Sequence, residues 1–424
     1  MLALIRKSEL NGKIKAPPSK SFSHRAIICA ALARGRSKIK HLLKSDDVDA
    51  TVSACESFGV QIRRSADAII VEGTAGELRA PEKPINCQFS GSTLRFVIPL
   101  AALAKGRTVI TGEGRLLERP IGPLIEAMRM LGVECESKNG FPPAILHGDG
   151  SIRGGTATIR GDVSSQFISG LLMVAPRARA KTKIILTSKL ESRPYVDITL
   201  EVMNSFGISV LLSTDYGEFE VDAPQDYNGI NYEIEGDFSS SAFLLCAAAV
   251  AGEVTISSLN PNSVQGDSAV VSILKEMGAD IKTGDGFVSS KKSELKGTEI
   301  DASNIPDLVP VLAATSCYAE GKTRIFNASR LRLKESDRLS AITSELRKMG
   351  AKIEERQDEL IINGSKLHGA TIDPHNDHRI AMACAVAALG AEGETKIGNA
   401  ECVSKSYPKF FEDLKKLGVD ISMQ

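Results

Sequence analysis

Six stretches of the chain place apolar residues at helical spacing and then end in a large apolar residue, a glycine and a small or branched apolar residue. The glycines are Gly59, Gly132, Gly207, Gly278, Gly350 and Gly418, at intervals of 73, 75, 71, 72 and 68 residues. Glycine enters the left-handed backbone that closes a helix without a side-chain clash, so each marks a helix end. Val48, Val52, Cys55 and Phe58 fall on one face before Gly59, as do Val270, Leu274 and Met277 before Gly278. Val60, Val133, Ile208, Ala279, Ala351 and Val419 then open short strand-like runs. A unit of about 71 residues is therefore repeated six times.

Each unit also carries a helix of a second kind. Ala26 to Leu32, Phe243 to Val250 and Ile380 to Leu389 are almost wholly Ala, Leu, Ile, Val, Cys, Phe and Met, the composition of a helix buried on all sides. Gly35, Gly106, Gly252, Gly321 and Gly393 close most of them, and the third unit has Arg177 to Lys181 instead. Two helices and about four short strands per unit predict an α/β protein in which buried helices are wrapped by amphipathic helices and sheets. The 424 residues exceed what one core serves, and two domains of three units each is the economical division. Its clearest seam is Pro224 to Gly229, where Pro, Asp, Asn and Gly cluster.

The 52 basic and 52 acidic residues cancel, so no global field holds nucleic acid or an anionic membrane, and any anion must be held locally. The eight cysteines form no Cys-x-x-Cys pair, and several lie in apolar helices, as expected of a reduced, cytoplasmic protein. The first twenty residues are broken by Lys7, Lys13, Lys15 and Lys20, so no signal-peptide core is expected there, and no apolar run reaches bilayer length.

The chemistry gathers at the starts of the buried helices. These read Ser19-Lys20-Ser21-Phe22-Ser23-His24-Arg25, Ser90-Gly91-Ser92-Thr93-Leu94-Arg95, Ser164-Ser165-Gln166, Ser239-Ser240-Ser241, Pro306-Asp307 and Asn376-Asp377-His378-Arg379. Ser and Asp are ordinary caps, and capping is the better reading of any one of them. Helix N-termini are also anion sites, and Lys20, Arg25, Arg95 and Arg379 serve no capping purpose, so the repeated pairing favours anions. A second cationic run contains Arg330, Arg332, Lys334, Glu335, Asp337 and Arg338. Charge runs usually cover a solvated helix face, where Lys334 and Arg338 would repel mildly.

Lys20-Ser21 with Arg25, Gly91-Ser92-Thr93-Leu94-Arg95, Glu118-Arg119-Pro120, Ser164-Ser165-Gln166, Ser192-Arg193-Pro194-Tyr195, Asp307, Lys334-Glu335-Ser336-Asp337-Arg338, Asp377-His378-Arg379 and Lys405 occur in the order typical of one family. On these motifs the whole chain resembles the 5-enolpyruvylshikimate-3-phosphate synthases, of the enolpyruvyl transferase family. The resemblance implies two inverse α/β barrel-like domains of three repeats each, 15–226 and 1–14 with 227–424, the active site in the cleft between them. It implies cofactor-free transfer of the carboxyvinyl group of phosphoenolpyruvate to the 5-hydroxyl of shikimate 3-phosphate by a monomer, with release of phosphate. Burying about five negative charges costs several kcal/mol each unless they are paired, which accounts for cations gathered in a neutral chain.

Carried over by position, shikimate 3-phosphate falls to Lys20, Ser21, Arg25, Ser164, Ser165, Gln166, Ser192, Asp307, Arg330 and Lys334. Phosphoenolpyruvate falls to Lys20, Gly91, Arg119, Gln166, Arg338, Arg379 and Lys405, the paired arginines suiting a carboxylate. Asp307 matches the group that takes the 5-hydroxyl proton and Glu335 the one serving C3, with Lys334 and Lys20 assisting. Taken alone, Asp307 reads as a helix cap after Pro306, and Glu335 as half of a surface ion pair. Gly91 implies sensitivity to glyphosate, which in the family occupies the phosphoenolpyruvate pocket. Phe89 and Ser92 depart from the family's usual Asn and Thr, and Arg330 from its usual Asn.

The nearest alternative is enolpyruvyl transfer to UDP-N-acetylglucosamine, whose enzymes carry a loop cysteine ahead of an Arg-Pro pair. Gly112 to Pro120 has none. A nucleic-acid clamp is disfavoured by neutral charge, six Tyr and no Trp. Asp373, His375 and His378 are poorly spaced for a metal on a helix, and Ser21 with His24 lacks a triad's orienting acid, so neither is expected to act.

Overall fold

The computed structural model describes residues 1–65 and 67–424. The α-helices among them are, in order, α1 (Lys20–Leu32), α2 (Asp46–Ser57), α3 (Gly91–Ala101), α4 (Gly122–Met130), α5 (Ser165–Val174), α6 (Arg193–Ser205), α7 (Phe238–Ala251), α8 (Val270–Glu276), α9 (Val309–Ser316), α10 (Arg338–Lys348), α11 (His378–Ala388) and α12 (Phe410–Lys416). The two kinds expected from the sequence alternate. Odd-numbered helices are buried nearly throughout: α7 leaves only Ser239 and Val250 short of full burial, and every residue of α11 is buried. Even-numbered helices bury one face, Val48, Val52, Cys55 and Phe58 being wholly inaccessible.

Each even-numbered helix is closed by its predicted glycine, with φ between 84° and 97° at all six. The glycine N–H bonds the carbonyl three residues back and the next N–H bonds the carbonyl five back, as in Gly59 to Glu56 (2.9 Å) and Val60 to Cys55 (3.2 Å). The odd-numbered helices end less uniformly. Gly106 lies within the strand Ala104–Thr111, five residues past the end of α3 at Ala101, and Gly252 is extended at φ 164°. A side chain on Gly252 would stand 1.9 Å from the Leu10 carbonyl, so close strand approach, not a left-handed turn, requires that glycine.

Among the described residues, six mixed sheets, each of four or five strands, follow the six repeats. The strands before and after a buried helix pair in parallel, as Gly155–Ile159 with Thr182–Leu186 across α5 and Glu299–Asp301 with Lys322–Phe326 across α9. Two repeats exchange their first strands. Leu10–Lys15 pairs with Gly252–Ser257 beyond α7, while Asn231–Glu233 pairs with Arg36–Lys40 beyond α1. The chain thus forms one compact unit from 1–17 with 235–424 and another from 18–234. The stretch Pro224–Gly229 lies inside the second, and the change of unit falls at Ile234 and Glu235.

In the unit 1–17 with 235–424, α7, α9 and α11 pack on one another. In 18–234, α3 packs on α5, and α1 on α2 and α6. All eight cysteines are free and buried. Among the described residues no helix is long and apolar enough to cross a membrane.

Candidate active site

In 18–234, helix N-termini gather around a web of hydroxyls and cations. Lys20, the first residue of α1, reaches Asp47 Oδ2 on α2 at 2.8 Å. Thr51 of α2 bonds both His24 Nδ1 and Thr93 Oγ1 at 2.7 Å, tying α1, α2 and α3. His24 therefore faces Thr51, and burial holds its pKa well below the usual value. Ser92 and Arg95 of α3 both meet Gln166 of α5: Gln166 Nε2 donates to Ser92 Oγ (2.8 Å) and Arg95 Nη1 donates to Gln166 Oε1 (2.6 Å). The departure at Ser92 is thus a working contact. Phe89 is 39% exposed, and its ring lies against Gly114.

Arg25 is 2% exposed, and its guanidinium donates to Thr199 Oγ1 (2.7 Å), the Tyr195 carbonyl (2.8 Å), the Ser21 carbonyl (2.9 Å) and Ser169 Oγ (3.3 Å). All four oxygens are neutral, and burial pushes its pKa down to about 10. Those bonds join α1 to the N-terminal halves of α5 and α6, whose starts carry Ser164, Ser165 and Ser192. Ser164 flanks α5 without capping it, while Ser192 is buried and left-handed, φ 54°. A non-glycine residue in that region is strained, and such strain gathers at functional sites. Gly91 faces Arg119: a Cβ there would stand 2.5 Å from Arg119 Nη1.

The other unit concentrates charge. Arg338, the first residue of α10, is 1% exposed and donates to Asp377 Oδ2 (2.8 Å), Asp307 Oδ1 (2.8 Å) and Glu335 Oε2 (2.7 Å). Arg379 Nη2 takes Asp307 Oδ2 at 3.0 Å, and Lys334 Nζ lies 3.8 Å from Asp307 Oδ1. Asp307 lies two residues ahead of α9 and does not cap it, contrary to its reading in isolation. Lys334 and Arg338 do not share a helix face either, because 334–337 is not helical and α10 begins at Arg338.

Burial would raise the Asp307 carboxyl, but Arg379, Lys334 and Arg338 outweigh it and hold it well below the usual range. Burial dominates at Lys334, whose ammonium is pushed down to about 8. The carboxylates around Arg338 raise its pKa despite burial. Lys405 Nζ donates to the Asn376 carbonyl at 2.6 Å, and Arg330 Nη2 to the Ser303 carbonyl at 2.6 Å. Arg332 is not drawn into this cluster, pairing instead with Asp337 (2.9 Å) and Glu355 (2.7 Å).

Capping accounts for some of the helix starts. Ser90, Asp237 and Asp377 accept from the first turns of α3, α7 and α11, whereas Ser19 and Ser164 make no such bond.

Sequence reasoning gave Asp377 no role beyond capping, yet it is fully buried and shared between Arg338 and the Arg379 N–H, and it gave none to Glu345, fully buried on α10. The signal for Glu345 was a carboxylate in the apolar stripe Ile342, Glu345, Met349. His375 bonds Glu345 at 3.0 Å and His378 is buried, so they do not converge on one point with Asp373, and no group of metal-ligating side chains occurs among the described residues.

The model of the family described as EPSP synthase (3-phosphoshikimate 1-carboxyvinyltransferase) matches residues 5–414. The chain belongs to the EPSP synthase family. The 3-phosphoshikimate 1-carboxyvinyltransferase of Methanocella arvoryzae is 47% identical over 428 residues, and that of Methanocaldococcus jannaschii 44% over 432, each alignment covering 100% of both chains. The fold is similar to the solved EPSP synthase of Acinetobacter baumannii, with TM-score 0.84 and 27% identity over 100% of this chain and 99% of that one. The α/β repeat architecture expected of an EPSP synthase is the one found. These relatives are named for phosphoshikimate carboxyvinyl transfer, and none of them supports the sugar-nucleotide alternative.

Proposed function

We propose that the chain transfers the carboxyvinyl group of phosphoenolpyruvate to the 5-hydroxyl of shikimate 3-phosphate and releases phosphate. The observation that carries this reading is the cluster of Asp307, Lys334 and Glu335 around Arg338 and Arg379 in a full-length member of the EPSP synthase family. A carboxylate and an adjacent depressed lysine supply the acid and base that addition and elimination need.

Arg25, Ser164, Ser165 and Ser192 are assigned to shikimate 3-phosphate, with Lys20, Ser21, Gln166, Arg330 and Lys334. The neutral surroundings of Arg25 leave its charge for the anion. Phosphoenolpyruvate is assigned to Lys20, Gly91, Arg119, Gln166, Arg338, Arg379 and Lys405.

In the free protein Asp307 holds the two arginines that would grip the substrate carboxylate. While it does, it is a weak base. An arriving carboxylate takes Arg338 and Arg379, and Asp307 then becomes basic enough to accept the 5-hydroxyl proton as oxygen attacks C2. Glu335, released by Arg338 and protonated from solvent, delivers that proton to C3 and takes one back from C3 in the elimination, while the proton held by Asp307 leaves on the departing phosphate; Lys334, poised near pH 8, steadies the charge on the adduct. The proposal includes a cytoplasmic monomer, and the buried free thiols suit a reducing compartment.

The test is phosphate release from phosphoenolpyruvate with shikimate 3-phosphate or UDP-N-acetylglucosamine as acceptor. Release with the former alone is expected, and release only with the latter overturns the assignment.

A further inference from the structure

The chain enters α11 through Asp373-Pro374-His375-Asn376-Asp377, where His375 and Asn376 are both left-handed, φ 53° and 54°. Neighbouring non-glycine residues in that conformation are costly and persist only when the surroundings enforce it. The loop delivers three cations. The Asn376 carbonyl accepts from Lys405 Nζ at 2.6 Å, and the next residue, Asp377, takes Arg338 Nε (2.8 Å) and the Arg379 N–H (2.9 Å).

Glu345 holds the loop in place. This carboxylate is wholly buried on α10, seven residues after Arg338. Its Oε2 accepts the Asp373 N–H at 3.0 Å, and its Oε1 bonds His375 Nε2 at 3.0 Å. Ser344 Oγ (2.8 Å) and Lys348 Nζ (2.7 Å) complete its partners, and the His375 N–H bonds Asp373 Oδ1 at 2.8 Å. Burying a carboxylate costs several kcal/mol unless fully bonded, and an apolar residue would fill that stripe of α10 without the cost. What Glu345 adds is a grip on the loop.

We infer that Glu345 and His375 are positioning residues for phosphoenolpyruvate, a clamp that enforces the left-handed pair and so aims Lys405, Arg338 and Arg379 together. The inference rests on the functional reading above. Its test compares His375→Ala, which removes the His375 arm of the clamp and keeps the backbone cost, with His375→Gly, which removes both. His375 is 39% exposed, so neither threatens folding.

His375→Ala is expected to raise KM for phosphoenolpyruvate about fivefold or more, the population lost to right-handed backbone, while KM for shikimate 3-phosphate stays within about twofold. His375→Gly should return to within about twofold of wild type, and Glu345→Gln should follow His375→Ala. Unchanged affinity in His375→Ala, an equal rise for both substrates, or no recovery with glycine would overturn the clamp. Amide exchange over 373–379 in the substrate-free protein separates this from the functional reading. It should quicken in His375→Ala whatever the enzyme's substrates, and unchanged exchange refutes the clamp alone.

Discussion

Arg25 and Arg338 are both buried at the starts of helices, and their surroundings are opposite. Arg25 meets four neutral oxygens, whereas Arg338 lies among the carboxylates of Asp307, Glu335 and Asp377. Arg25 is left uncompensated, and Arg338 is saturated with carboxylates. An anion arriving at Arg25 supplies a missing charge, while one arriving at Arg338 and Arg379 must displace a carboxylate the protein already owns. The first arrangement favours holding a ligand tightly. The second couples binding to a change in basicity, which is what a proton-transfer group needs.

The largest effect expected from this contrast is on stability. Arg338→Met leaves three carboxylates around an empty place and should cost about 3–5 kcal/mol. Arg25→Met discards a cation already disfavoured by burial and should cost about 1–2 kcal/mol, the worth of its hydrogen bonds. Urea unfolding of both variants decides the matter, and equal losses would erase the distinction.

Next in size is turnover. Asp307→Asn and Glu335→Gln should each lower kcat by about a hundredfold or more with substrate affinity within a few fold, since amides retain the shape and lose the proton chemistry. A variant with near-normal kcat would remove its residue from the mechanism.

The saturated cluster also sets a pH limit. Because Lys334 titrates near 8, kcat/KM should fall above about pH 8, about tenfold per pH unit, and Lys334→Arg should abolish that limb. Stability responds in the opposite direction. The folded-state pKa lies below the ordinary 10.5, so the unfolded chain holds the proton more tightly, and the Lys334 contribution improves as pH climbs from about 8 toward 10.5. An alkaline limb unchanged in Lys334→Arg would assign it to another group.

The smallest effect belongs to the other unit. Gly91→Ala pushes against Arg119 Nη1, the far end of a flexible side chain, so KM for phosphoenolpyruvate should rise only a few fold with shikimate 3-phosphate unaffected. Glyphosate is expected to inhibit the wild type in competition with phosphoenolpyruvate, and that inhibition should weaken more in the variant. Equal affinity for all ligands in the variant would mean that Arg119 does not serve this pocket.

Local rules carried the repeats a long way. The helix ends at Gly59 through Gly418 were legible because left-handed closure is decided by the residue at that position and its near neighbours. The buried helices were legible because an all-apolar run has no solvent face to offer. The motif at Lys334 to Arg338 was legible as chemistry, but its shape was not. Nothing local to the sequence says that the chain leaves helical geometry at 334–337, or that Asp307 binds arginines in place of capping α9. The second follows from Arg338 and Arg379, 31 and 72 residues away, whose charges hold the Asp307 carboxylate.

The sequence by itself therefore determined the six-fold repeat, the two kinds of helix, the cations at helix starts and the family they resemble. The tertiary structure alone decided the exchange of Leu10–Lys15 and Asn231–Glu233 between repeats, since parallel strands of similar composition can pair wherever the crossover brings them. It alone decided which buried charges are compensated, because that depends on distances across helices far apart in the chain. Glu345 joins both lessons: its place in an apolar stripe was visible in the sequence, and its grip on His375 and Asp373 appears only once α10 lies beside the loop entering α11.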